Sequence, residues 1–373
     1  MIPDNMMLKS AEQAVFDLRA LYQRYGYTQY KMSKFEEYDL YVQNKDFLVG
    51  DGVITFNDTD GKLLALKPDV TLSIIKNVKE EKGTAQKVYY NENVYRISKS
   101  THTFKEIMQT GLECVGDIDI YSMTEVALLA VKSLEAVSDR YMLDISHLGV
   151  LSALTDALSV SAADKKKIIR CIGEKNAHGV RELCGETDGA LCEKLVALIA
   201  AYGSPSEVFP MLYALDAGEQ AEAAIAELET ITKTLARIGY ADRINIDFSV
   251  VNDMNYYSGI VFRGFIDGIP EGILSGGRYD KLMQKMGRSE SAIGFAVYID
   301  MLELLDRDEK EYDTDILLLY EDGVDTAELM KAVAVLAKSG NRILAQKTKP
   351  EAIRYRQLLI YRNGGLEILE IGD

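Results

Sequence analysis

"VYRISKSTHTFKEIMQTGLECVG" (94–116) decides how this chain is read. β-branched and aromatic residues crowd both of its ends, and a polar loop at 98–103 separates them. That pattern predicts two strands. The first begins upstream in "QKVYYNENVYRIS", and the second ends at "ECVGD".

Working outward, "DGVITFNDTDGKLLALKPDVTLSIIKNV" reads as a hairpin around Asp58-Thr59-Asp60-Gly61, leading into a helix from Pro68. Before it, "LKSAEQAVFDLRALYQRYGY" has helical spacing and a glycine stop at Gly26. "TQYKMSKFEEYDLYV" follows as an extended segment. After the strand pair, "SMTEVALLAVKSLEAV" predicts an amphipathic helix with a Ser/Thr start, and "YMLDISHLGV" another strand.

From about 151 to 240 alanine, leucine, lysine and glutamate dominate, which predicts a helical insertion. Strand pattern returns with "VVNDMNYYSGIVF" (250–262), read as a strand whose Tyr256-Tyr257 pair closes a pocket wall. "GILSGGRYDKLMQKMG" predicts a strand, a glycine-rich turn and a helix. "SAIGFAVYIDMLELLDR" predicts a strand or tight turn leading into a helix. A charged junction, "DRDEKEYD" (306–313), reads as a linker. The expected domains are therefore 1–310, interrupted by the insertion, and a small α/β unit at 313–373.

The 373 residues allow two or three domains, at roughly 100–200 residues each. Apolar residues make up 47% and the net charge is −16, with no dense basic run beyond Lys165-Lys166-Lys167. Nucleic-acid binders draw most of their affinity from basic faces, so this balance argues against such a partner. The four cysteines form no CxxC pair and the three histidines show no zinc spacing. Reduced thiols in the cytoplasm, with no metal and no cofactor, are the expectation. No signal peptide and no apolar stretch of about 20 residues is present, so no membrane association is expected.

Four segments in order resemble the class II aminoacyl-tRNA synthetases in their histidyl version, over roughly residues 10–310. Residues 94–116 resemble motif 2 through Tyr95, Arg96, Gln109, Gly111 and Glu113. "LKPDVTL" (66–72) is similar to the family's Arg-Pro-Glu-x-Thr segment, and "YYSGIVF" to the end of its histidine-pocket motif. "SGGRYDKLMQKMGRSESAIGFAVYIDML" (275–302) resembles motif 3. The resemblance implies an α+β fold, a class II synthetase-like antiparallel sheet flanked by helices. It implies a ligand pocket at Asp69, Thr71, Arg96, Gln109, Glu113, Tyr256 and Tyr257, where the family contacts histidine.

The chain departs from the family where activation of an amino acid by ATP needs cations. The pocket-motif arginine falls at Asn252 and its aspartate at Asn255. The arginine that ends motif 3 falls at Met301, after Asp300. The motif 2 loop places Ser98 and Lys99 near a glutamate and an arginine, and Ser33 stands near the motif 1 proline. Losing one preorganised donor typically costs about 100–1000-fold in rate. The C-terminal unit also falls short of a full anticodon-binding domain. A synthetase-like body without these parts resembles the regulatory subunits of ATP phosphoribosyltransferase. That resemblance implies no catalytic residues. It also implies a homodimer inside a hetero-oligomer with the short-form catalytic subunit, and histidine feedback in the first step of histidine biosynthesis, with L-histidine as the small ligand. A divergent histidyl-tRNA synthetase and a free-standing amino-acid sensor remain the alternatives.

Overall fold

The computed structural model describes residues 9–45, 48, 52–78, 83–97, 102–184, 188–251, 256–308 and 312–371. The chain divides into two compact units, residues 1–306 and 307–373. Among the described residues no helix is long and apolar enough to cross a membrane.

The first unit is built on a nine-stranded sheet. Across it run Thr28–Gln29, Ala85–Ile97, Phe104–Gly116, Ser291–Tyr298, Leu274–Arg278, Ile260–Ile266, Tyr141–His147, Ile244–Asp247 and Tyr202–Gly203. All neighbours are antiparallel except the pairs made by Thr28–Gln29 with Ala85–Ile97 and by Tyr141–His147 with Ile244–Asp247. The sheet's axis is the 13-residue strand pair of the opening stretch, in unbroken register from Ala85 opposite Gly116 to Ile97 opposite Phe104.

Alternation along these strands gives the sheet two different faces. Tyr89, Leu112, Cys114, Phe295, Phe262 and Ile145 point into one large apolar core. Helix Ser10–Arg24 contributes Ala14, Leu18 and Tyr22 to it, four residues apart and therefore on one side of the helix. Gly26, at φ +83°, ends that segment where an L side chain would be strained. Helix Ile120–Glu135 lies on the same face, and the insertion continues the core through helices Leu148–Asp156, Ala162–Gly173, Ala177–Cys184, Gly189–Ala200, Pro205–Ala214 and Glu219–Leu235. The opposite face carries a smaller cluster with Val88, Tyr90, Tyr256 and Tyr279, roofed by helix Thr71–Asn77. Beside it a three-stranded antiparallel sheet joins Phe35–Glu37, Leu63–Leu66 and Thr55–Asn57. The four cysteines are free, and three of them are buried.

The second unit has a four-stranded sheet in the order Ile343–Gln346, Thr314–Tyr320, Tyr355–Arg362 and Gly365–Ile371. The first three are parallel and the last antiparallel. Helix Thr326–Lys338 covers Ile316, Leu318, Leu359 and Tyr361.

Four local expectations change. Gly276 and Gly277 lie inside strand Leu274–Arg278, not in a turn. A Cβ on Gly276 would come within 2.4 Å of the Gly294 carbonyl, so glycine here serves close packing. Tyr256 and Tyr257 precede strand Ile260–Ile266 and do not belong to it. Their rings turn over the sheet, where Tyr256 packs 5.7 Å from the Tyr279 ring. Residues 38–42, expected extended, fall in helix Tyr38–Gln43, which buries Tyr41. The long helix starts earlier than its Ser/Thr signal, because Asp119 caps it by accepting from the Ser122 amide at 2.8 Å.

Candidate functional site

All seven residues singled out in the sequence line one cavity of about 120 Å³ on the sheet's second face. A water needs about 10–15 Å³ of such space, so the cavity takes roughly ten non-hydrogen atoms, the size of one amino acid.

Its floor comes from the strand pairing. Gln109, Gly111 and Glu113 stand directly opposite Tyr298, Ala296 and Gly294 on one side, and Gly111 stands opposite Tyr90 on the other. Gly294 is required for Glu113. A Cβ at 294 would lie 1.7 Å from Glu113 Oε2.

Glu113 is 2% exposed and holds the network together. Thr71 Oγ1 donates to its Oε1 at 2.7 Å, and Tyr279 Oη donates to its Oε2 at 2.6 Å. Burial pushes its carboxyl up to about 8 despite those two donors, and the nearby Asp69 charge adds to the rise. Asp69 sits just before helix Thr71–Asn77, where its Oδ1 accepts from the Leu72 amide at 2.9 Å. Its carboxyl is also raised by burial, while the Leu72 amide and the Arg96 charge pull it back. Arg96 reaches in from strand Ala85–Ile97 and spends Nε on the Pro68 carbonyl at 2.9 Å. Its two terminal nitrogens carry four further N–H donors. Gln109, 4% exposed, adds an amide, and the Tyr256 and Tyr257 rings meet at 4.8 Å.

The cavity thus offers two carboxyl groups, several phenols, one amide and one guanidinium. Carboxylates suit an ammonium, the amide and phenols suit a ring nitrogen, and the guanidinium suits a carboxylate.

Sequence reading missed Tyr90, Ser275, Tyr279, Gly294 and Tyr298 as lining residues. Tyr90 was accessible from parity with Glu113 across the hairpin; the others needed the sheet order.

The departures from the family pattern divide into two groups. Asn252, Asn255, Ser98 and Lys99 lie outside the described residues. Met301 is described and packs against the apolar core on the opposite face. Asp300 accepts from the Met108 amide at 2.6 Å. Lys67, beside Pro68, is fully buried and bound to Glu92 at 2.9 Å, away from the cavity lining.

An antiparallel sheet with this strand order, helices on one face and an amino-acid-sized polar cavity on the other is the body of a class II aminoacyl-tRNA synthetase. The chain belongs to the histidyl-tRNA synthetase family, whose profile matches residues 4–302. Among curated proteins it is similar to an ATP phosphoribosyltransferase regulatory subunit from Alkaliphilus metalliredigens, 28% identical over 360 residues, covering 93% of this chain and 90% of that protein. Among solved structures it is similar to an ATP phosphoribosyltransferase regulatory subunit/histidyl-tRNA synthetase from Bacillus halodurans C (TM-score 0.72, 23% identity, 90% of this chain and 88% of that one). It is also similar to a chain of an ATP phosphoribosyl transferase complex from Thermotoga maritima (TM-score 0.61, 19% identity, 76% of this chain and 96% of that one).

Proposed function

We propose that this chain is a regulatory subunit of ATP phosphoribosyltransferase, without aminoacylation activity of its own. It would assemble with the short-form catalytic subunit and bring histidine feedback to the first step of histidine biosynthesis. The observation that carries this reading is the imbalance of the cavity. The end suited to an amino acid is furnished with Asp69, Thr71, Gln109, Glu113 and the tyrosines. Arg96 is the only cation that lines it among the described residues.

Acyl-adenylate formation gathers a carboxylate and a triphosphate, and needs several cations where charge develops. Met301, half-buried against the core, cannot supply one. The name of the Alkaliphilus relative points the same way, and that similarity covers 93% of this chain.

The test has two arms. Purified protein with L-histidine and magnesium ATP is expected to give no pyrophosphate–ATP exchange. Co-expression with a short-form catalytic subunit is expected to yield a hetero-oligomer whose phosphoribosyl transfer falls when histidine is added. Measurable exchange that disappears in Arg96→Ala would return the chain to the synthetases. Titration with L-histidine checks the ligand directly, with Asp69→Asn weakening binding about tenfold or more, as expected for hydrogen bonds to charged groups.

A further inference from the structure

On the ligand face, Tyr90, Gly111, Ala296, Ser275, Arg263 and Asp144 are successive direct neighbours across six strands. Directly paired residues point to the same side of a sheet. Three small side chains follow Tyr90, so the sheet surface there is a shallow trench. It leaves the cavity at Ser275, which lines it, and runs to Arg263, which does not. The next row repeats the pattern with Gly294 and Gly277 between Glu113 and Val261.

Arg263 is half-buried at the trench's far end. Its guanidinium lies 5.5 Å from the centre of the Phe265 ring. A Cβ on Gly272 would come within 2.4 Å of its Nε, so the glycine lets the hairpin loop pass against the arginine's stem. Among the described residues the Arg263 side chain makes no hydrogen bond and no ion pair. Asp144 is the carboxyl beside it in the row. Its carboxyl is pushed up to about 6, chiefly by burial and by the Asp247 charge, with the Arg263 charge opposing weakly. Asp247 itself is bound to Lys175 at 2.9 Å. Arg263 is therefore a guanidinium held in place with its donors unspent, an arrangement suited to planar, bidentate capture of an oxyanion.

Four strand spacings of about 4.8 Å separate the strand of Arg263 from that of Arg96, about 19 Å between backbones. One phosphate cannot touch both arginines, so Arg263 does not rebuild a triphosphate clamp. We propose that Arg263, with the Ser275 hydroxyl beside it, forms a second subsite that takes a phosphate or carboxylate group at the open end of the trench. The oxyanion is either free or attached to a ligand whose amino-acid-sized part fills the cavity. That second source rests on the reading of the cavity given above.

The test is calorimetric titration of the full chain with inorganic phosphate at constant ionic strength, and separately with L-histidine. Wild type is expected to bind phosphate, and Arg263→Gln to weaken it by about tenfold or more, since hydrogen bonds to charged groups contribute about 1.5–3 kcal/mol. L-histidine affinity is expected to change less than about twofold in the same variant, because additivity holds for sites without shared partners. Arg263→Lys keeps the charge beside Asp144 and guards against a folding defect. It is expected to lose phosphate affinity several-fold for want of the forked geometry. No phosphate binding to wild type, or equal binding to all three proteins, would overturn the subsite and leave Arg263 as a counter-charge for Asp144. Phosphate binding that depends on Arg263, with no histidine binding to any protein, would keep the subsite for a free anion and remove the amino-acid reading of the cavity. Competition between phosphate and histidine would place both in one site and overturn a separate subsite.

Discussion

Tyr89 and Tyr90 are adjacent in sequence and face opposite ways. Tyr89 is fully buried in the large core, 6.1 Å from the Tyr22 ring, and its hydroxyl accepts from Gln23 Nε2 at 3.0 Å. Tyr90 is almost as buried but lines the cavity, where burial and the nearby carboxyl groups hold its hydroxyl well above the usual phenol range. The same strands thus build two surfaces. One is apolar and close-packed. The other buries carboxyl groups and phenols around space. Burial on the first face stabilises the fold. Burial on the second costs free energy, offset by hydrogen bonds, and leaves groups ready for a ligand.

The comparison can be broken most severely from the core side. Phe262 is 1% exposed and its ring lies 6.2 Å from that of Phe295. Phe262→Ala is expected to cost about 3–5 kcal/mol in urea unfolding. A loss below about 1 kcal/mol would show that this face is not the stabilising one.

A smaller effect sharpens the cavity side. Glu113 rises from the ordinary value of about 4.3 in an unfolded chain to about 8 in the folded one. The folded state therefore holds a proton that the unfolded state releases between those pH values. Its contribution to stability is present below about pH 4.3 and is lost as pH rises through about 8. Glu113→Gln, measured by thermal melts across this window, is expected to flatten that decline. An unchanged slope would mean that burial does not control this carboxyl. The smallest expected change is Thr71→Val, which removes one donor to Glu113 and is expected to cost about 1 kcal/mol. If it cost as much as Phe262→Ala, the ligand face would be carrying the fold.

Much of this division was legible in residues 94–116. The resemblance to motif 2 named Arg96, Gln109, Gly111 and Glu113, and the order of the other motifs added Asp69, Thr71, Tyr256 and Tyr257 to the same site. Other positions were misread for identifiable reasons. A Gly-Gly pair normally signals a turn, yet Gly276-Gly277 lies in a strand because a neighbouring backbone leaves no room for Cβ atoms. The tyrosine pair has strand-like composition, yet it precedes the ladder, and the Tyr256 ring packs tilted against Tyr279. The Arg278 of the same segment is held by Asp280 at 2.8 Å and Ser291 at 3.1 Å, so it braces the strand end and does not line the cavity.

By itself the sequence determined the period of each element, the family whose motif order it shares, and the loss of an arginine at Met301. Those are properties of residue type and spacing. Only the tertiary structure decided that strand Ser291–Tyr298 lies between Phe104–Gly116 and Leu274–Arg278. That order joins glycines distant in sequence into one trench, and it places Gly294 where Glu113 needs space. The charge states of buried carboxyl groups were likewise decided there, because they depend on which atoms exclude water from them.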